Sequence, residues 1–242
     1  MISDALVAAP RAVRSRDRAF YTGMAIAAAA TVLLGFARTF YLRSQFNPTP
    51  LAPPLLVHGV VFSTWIALFV AQTALVAADR TGMHRRLGWA GAGLATAMIV
   101  VALAAAIFAG RRDIAAGYEA QSLTFFATPV SSMLVFATFV VAAVALRARP
   151  ETHKRLMLLA TISLLDAAVA RWPVPGIDGW PLLYYGLTDA FILVAILYDL
   201  VTRGRVAGVY LWGGLLVVAC QALRDPVGAT AAWQAFARLV LE

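Results

Sequence analysis

The sequence predicts an all-α fold, a polytopic membrane bundle of seven transmembrane helices with its N-terminus inside and its C-terminus outside. Three observations predict it. Of 242 residues, 62% are hydrophobic and only 13% charged, about half the charged share of an ordinary soluble domain. Seven windows approach the roughly 20 apolar residues that a helix needs to cross a hydrocarbon core about 30 Å thick. The basic residues fall in alternate connections between those windows.

Taken in order, the windows are 20–42, 55–78, 87–109, 123–146, 155–172, 182–202 and 206–223. Charges or proline- and glycine-rich turns bound each one. "NPTPLAPP" separates the first two, and "WPVPGIDGWP" the fifth and sixth, because proline lacks the amide donor that would continue a helix. The organisation is a basic N-terminal segment (1–19), a single transmembrane domain (20–223) and a short amphipathic C-terminal segment (224–242). Pro129 predicts a kink in the fourth span, with Thr124, Thr128, Ser131 and Thr138 along one face for packing. "GWAGAGLATA" from Gly88 reads as a small-residue face for close helix contact.

Twenty basic residues outnumber twelve acidic ones, but they form no continuous stripe, so no nucleic-acid partner is expected. Arg11, Arg14, Arg16 and Arg18 precede the first span. Arg80, Arg85 and Arg86 fill the second connection, Arg147, Arg149, Lys154 and Arg155 the fourth, and Arg203 and Arg205 the sixth. The positive-inside rule puts these on the cytoplasmic side of a plasma membrane, here expected to be a bacterial inner membrane. Arg111 and Arg112 in the third connection are discordant, partly offset by Asp113 and Glu119. The first span is about 23 residues long with no small-residue cleavage site, so it reads as a retained helix. Cys220 is the lone cysteine, which excludes disulfides and cysteine metal sites.

One motif is repeated. "MHRRLG" (83–88) returns 69 positions later as "THKRLM" (152–157), in a chain with three histidines. Each copy joins two predicted antiparallel helices, so residues 55–109 and 123–172 read as two copies of one hairpin. The symmetry puts His84 and His153 at one depth at the starts of two helices, the arrangement that a bis-histidine haem or a shared metal requires. Nearby arginines are suited to haem propionates. The plainer alternative is basic trim facing lipid phosphate. His58 lies at the other end of the second span, and its counterpart in the second hairpin is Ala127, so no second bis-histidine site is expected.

The runs "HRRLG" and "HKRLMLLA" resemble those of uncharacterised bacterial multi-pass families. The second is similar to the basic "HRRxM" stretch of small membrane proteins that assist assembly of haem-containing terminal oxidases. That resemblance implies that His58, His84 and His153 are the matching histidines, with haem b or a metal as cofactor and a membrane complex as partner.

A second constellation lies toward the outer ends of the helices. Asp166 and Asp189 are each about 10 Å below the outer surface at 1.5 Å per residue, and an intramembrane carboxylate seeks a partner or marks a functional site. Arg38, His58, Gln221 and Arg224 are at similar depths, so a ligand or proton pocket and a structural lock such as Asp166–Arg38 both stay open. Asp199 and Arg203 form an i,i+4 pair expected to be structural. No mid-membrane lysine is present for a retinal Schiff base, and no phosphate loop, zinc-protease helix or nucleophile elbow occurs, so no catalytic residue is assigned. Three readings follow: a haem- or metal-linked redox accessory protein using His84 and His153; a small-molecule or proton transporter or sensor using the outer pocket; and a structural partner of a membrane complex or of further copies of itself in the lipid bilayer.

Overall fold

The structure, a computed structural model, describes residues 11–242, so the first ten residues of the basic N-terminal segment lie outside it. The described residues are 84% helical and contain no strand. Five helical stretches are long and apolar enough to cross a membrane by length and composition: Ser15–Tyr41, Pro53–Ala77, Thr81–Ala115, Glu119–Ala145 and Pro181–Arg203. Such a chain is a helical, multi-pass membrane protein, and its outer surface agrees, with Val100, Leu134, Val141 and Val201 exposed on it.

Helix α1 (Arg11–Phe36) buries Tyr21, Met24, Ala25, Ala28, Thr31 and Gly35 along one stripe, the three- and four-residue spacing of a helix face. It widens into a π-helical turn at Ala37–Tyr41, followed by the short α2 (Arg43–Phe46). Helix α3 (Pro53–Ala77) begins with two prolines, which cost little where a first-turn amide has no intrahelical partner. Asp79, at φ 61°, turns the chain into α4 (Thr81–Ala115). The small-residue stretch of α4 does pack closely: Gly91, Ala95, Met98, Ala102 and Ala105 are buried on one face, and a Cβ on Gly91 would sit 3.2 Å from Leu68 of α3.

The fourth predicted span is interrupted. Helix α5 (Glu119–Phe125) stops and α6 (Ala127–Ala145) starts one residue later. Pro129 explains the position, since a proline cannot bond to, and its ring clashes with, the carbonyl four residues earlier, here that of Phe125. The predicted kink therefore falls one turn before the proline.

The fifth predicted span is not one continuous helix. Helix α7 (Pro150–Ile162) ends, three residues turn, and α8 (Asp166–Val169) follows. At 13 residues α7 is about 20 Å long, and it is buried almost all round through Arg155, Leu156 and the run Leu158 to Ile162. It packs against α1, α6, α9 and α10. A short, broken helix is tolerated at membrane depth only where protein rather than lipid surrounds it. Helices α9 (Pro181–Arg203) and α10 (Gly208–Gly228) complete the bundle. Helix α10 runs past the predicted boundary at 223 and carries Gln221 and Arg224 inside it; their cost is met by partners described below.

Helix α11 (Ala231–Leu241) is the predicted amphipathic segment, with Ala237 and Leu241 packed on Leu123 and Phe126. Thr230 accepts the Trp233 amide at 3.3 Å as its N-cap. The discordant Arg111 has a structural task here: it donates to the carbonyls of Val240 and Leu241, both at 3.1 Å. A cation there satisfies carbonyls left unbonded at the end of a helix and complements its dipole.

Candidate functional site

The two hairpin loops place their histidines equivalently. His84 and His153 are each the fourth residue of their helix, following Arg80 and Arg149 at the N-cap positions. Their amides bond to those arginines' carbonyls at 3.1 and 2.9 Å. The imidazoles meet, with ring centroids 6.2 Å apart and planes at 82°. His153 Nδ1 lies 2.8 Å from the Ala143 carbonyl. A carbonyl only accepts, so Nδ1 is the donor in this contact, and Nε2 is the nitrogen left to face another partner. His84 Nδ1 is buried without a hydrogen-bond partner. Among the described residues no group of three or more His, Cys, Asp or Glu side chains is arranged to hold a metal ion, so any ligand set built here rests on these two imidazoles.

A cluster of charges adjoins the histidine end of the bundle. Asp17 of α1 accepts from Lys154 at 2.6 Å, Tyr198 at 2.6 Å and Arg203 at 2.7 Å. Arg155 of α7 forks onto Asp199 of α9 at 2.7 and 3.0 Å and also bonds Glu151 at 2.9 Å. The expected Asp199–Arg203 pair is present at 2.9 Å. Asp199 is fully buried, and the Arg155 side chain is 4% exposed. Three acids face three bases, and Tyr21 and Tyr210, bonded to each other at 3.0 Å, lie beside them, with the Arg155 guanidinium over the Tyr210 ring. Glu151, at the loop end of α7, is held below the usual carboxylate range: partial burial raises it, but bonds from Lys154 and Arg155 outweigh that.

A second cluster lies toward the other end of α9 and α10. Four of the six candidate pocket residues meet in it. Arg224 donates to Asp166 at 2.8 Å, to the Tyr185 hydroxyl at 3.2 Å, and to Ser132 and Ser131 at 2.9 and 3.3 Å. Gln221 donates through one amide nitrogen to Asp166 at 3.3 Å and to Asp189 at 3.2 Å. Asp166, Gln221 and Arg224 are buried and Asp189 half-buried. The broken helix makes this possible. Asp166 is the first residue of α8, directly after the turn that ends α7, so its carboxylate also stands at a helix N-terminus, where negative charge is favoured.

Arg38 and His58 take other partners. The π-helical turn leaves Arg38 exposed, its guanidinium 4.9 Å from the centre of the Phe46 ring. Arg224, rather than Arg38, is therefore the cation on Asp166. His58 stacks on Phe62 at 4.1 Å with Nδ1 buried and unbonded, and it belongs to neither cluster.

Several contributors were not singled out from sequence. Asp17 was hidden among four arginines of the N-terminal segment, although an acid in so basic a run is itself a pointer to a partner. Ser131 was read as a packing hydroxyl, and Ser132, its neighbour, had no periodic signal. Pairing of Arg155 with Asp199 joins residues 44 apart in sequence, which no local pattern encodes. No family model matches the chain, and no curated protein and no solved structure matches it either.

Proposed function

We propose that this chain is a seven-span accessory protein of membrane redox chemistry, in a bacterial inner membrane, in which His84 and His153 hold one haem b or one metal ion. The N-terminus and both histidine loops face the cytoplasm and the C-terminus faces outward, as the basic loops require. The meeting of the two imidazoles is the observation that carries the reading. With ring centroids 6.2 Å apart, His84 and His153 are the two residues that would hold such a group between them. His153 also has the support typical of a ligating imidazole, its Nδ1–H given to a backbone carbonyl so that Nε2 is fixed as the donor atom. A haem or redox-active metal held there would supply one-electron transfer. The protein's part is to set the two nitrogens at one depth and to surround them with cations, such as Arg85 and Arg86, for its carboxylates.

The deciding measurement is the reduced-minus-oxidised visible spectrum and metal content of the purified protein. A low-spin haem signal or a stoichiometric metal, lost in both His84→Ala and His153→Ala and kept in His58→Ala, is expected. A colourless, metal-free protein that takes up neither haem nor metal would end this reading. Labelling of a cysteine at position 84 or 153 from the outside would overturn the topology.

A further inference from the structure

We propose that Asp166 and Asp189 form a binding site for one exchangeable proton, held between the two carboxylates and taken up from the aqueous face on the Asp189 side. The charges and donors on the page lead there. Two carboxylates converge on a single amide nitrogen of Gln221, at 3.3 and 3.2 Å. Laid end to end, those bonds limit the separation of the two Oδ1 atoms to about 6.5 Å. One guanidinium serves the pair, and it bonds only Asp166. With both acids ionised the cluster carries one uncompensated negative charge in an apolar bundle, where two nearby carboxylates resist joint ionisation.

Among the described residues, the neighbouring elements do not supply the missing cation. Helix α10 contributes Gln221 and Arg224, and α9 contributes the Tyr185 hydroxyl, which accepts from Arg224, and Tyr184 and Thr188 on the Asp166 side. Helix α6 contributes the hydroxyls of Ser131 and Ser132, both on Arg224. Helix α1 meets α8 through Gly35, where a Cβ would collide with the Ala168 backbone, and through the Thr31 carbonyl, which accepts from Trp172. Arg171 turns away, donating to the Ala167 carbonyl with its guanidinium over the Phe36 ring. The proton leaves a hydronium, bonds to one Oδ atom and makes the cluster neutral; Asp189, the less buried of the two acids, is its point of entry. The site is separate from the histidine pair: His153 is in the first turn of α7 and Asp166 lies beyond the other end of that helix, whose remaining nine residues span about 14 Å.

Infrared spectroscopy of the full-length protein in lipid nanodiscs tests this, because a protonated carboxyl has a C=O stretch that a carboxylate lacks. At pH 7 the wild type should show one such band, and it should disappear in both Asp189→Asn and Asp166→Asn, since the remaining acid then pairs with Arg224. Asp189→Glu should shift the band, Arg224→Met should raise its intensity about two-fold, and Asp113→Asn, outside the cluster, should leave it alone. A wild type with no band at pH 7 overturns the proposal, whatever the variants do. So does a band that survives either Asp→Asn substitution, because the proton would then belong to one residue or to another site.

Discussion

The two charged clusters share helix α9 and differ in balance. At the histidine end, Asp17, Glu151 and Asp199 face Lys154, Arg155 and Arg203 across α1, α7 and α9. At the other end, Asp166 and Asp189 share Arg224 and an amide. A balanced, fully bonded network acts as a lock: every charge has its counter-charge, and nothing is gained by moving a proton. The unbalanced one retains an electrostatic demand that a proton can meet. Buried charge is therefore no single signal, and the partner count separates a fastening from a site.

The largest expected effect comes from breaking the lock. Arg155→Met leaves the fully buried Asp199 with Arg203 from its own helix as its one cation and the Ala207 amide at 3.3 Å, and removing one partner of a buried pair costs about 3–5 kcal/mol. Unfolding of the purified protein in mixed micelles should show that loss, and a change below about 1 kcal/mol would mean that Arg203 alone suffices. Arg224→Met should cost less at pH 7, about 1–3 kcal/mol as for a buried polar group that loses a partner, because Asp166 can take up a proton. Repeated at pH 5, its penalty should shrink while that of Arg155→Met changes less; equal losses with equal pH dependence would erase the distinction between the clusters. Asp189→Asn should stay within about 0.5 kcal/mol of wild type, as the half-buried side chain keeps its Gln221 bond and a neutral amide takes the place of the shared proton. A loss as large as that from Arg224→Met would make Asp189 part of a lock.

The smallest effect is the pH response of Glu151. Its folded-state affinity for protons is lowered by Lys154 and Arg155, so its stabilisation is fully present above the ordinary carboxylate value of 4.5 and fades as pH falls below it through the depressed folded value. Glu151 is more than half exposed, and solvent screening keeps the effect small. Stability of Glu151→Gln relative to wild type should therefore converge on acidification; a gap that widens below pH 4.5 would reverse the assigned sign.

How far each part was legible in the sequence follows from the range of the interaction behind it. Long apolar windows are local, and five of the seven predicted spans correspond to helices apolar enough to cross a bilayer. The remaining two depart for a non-local reason. The α7–α8 segment is short and broken because it is wrapped by protein, and α10 carries Gln221 and Arg224 because Asp166, Asp189 and two serines wait for them. The equivalence of His84 and His153 was visible as a repeat, since identical loop chemistry gives identical helix starts. That the rings meet depends on how the two hairpins pack, through α4 against α6.

The sequence by itself determined the class of the molecule, the disturbance of the fourth span by Pro129, and which polar residues are too costly to leave unpaired in an apolar chain. These follow from backbone chemistry and from transfer into a low-dielectric medium, both properties of a residue and its near neighbours. Tertiary structure alone decided the partners. Arg224 rather than Arg38 reaches Asp166 because a π-helical turn swings Arg38 outward onto Phe46. Asp17 joins the lock because α1 lies along α7. Coulomb and hydrogen-bond energies fall off within a few ångströms, and only packing brings residues 58 and 137 positions apart within that range.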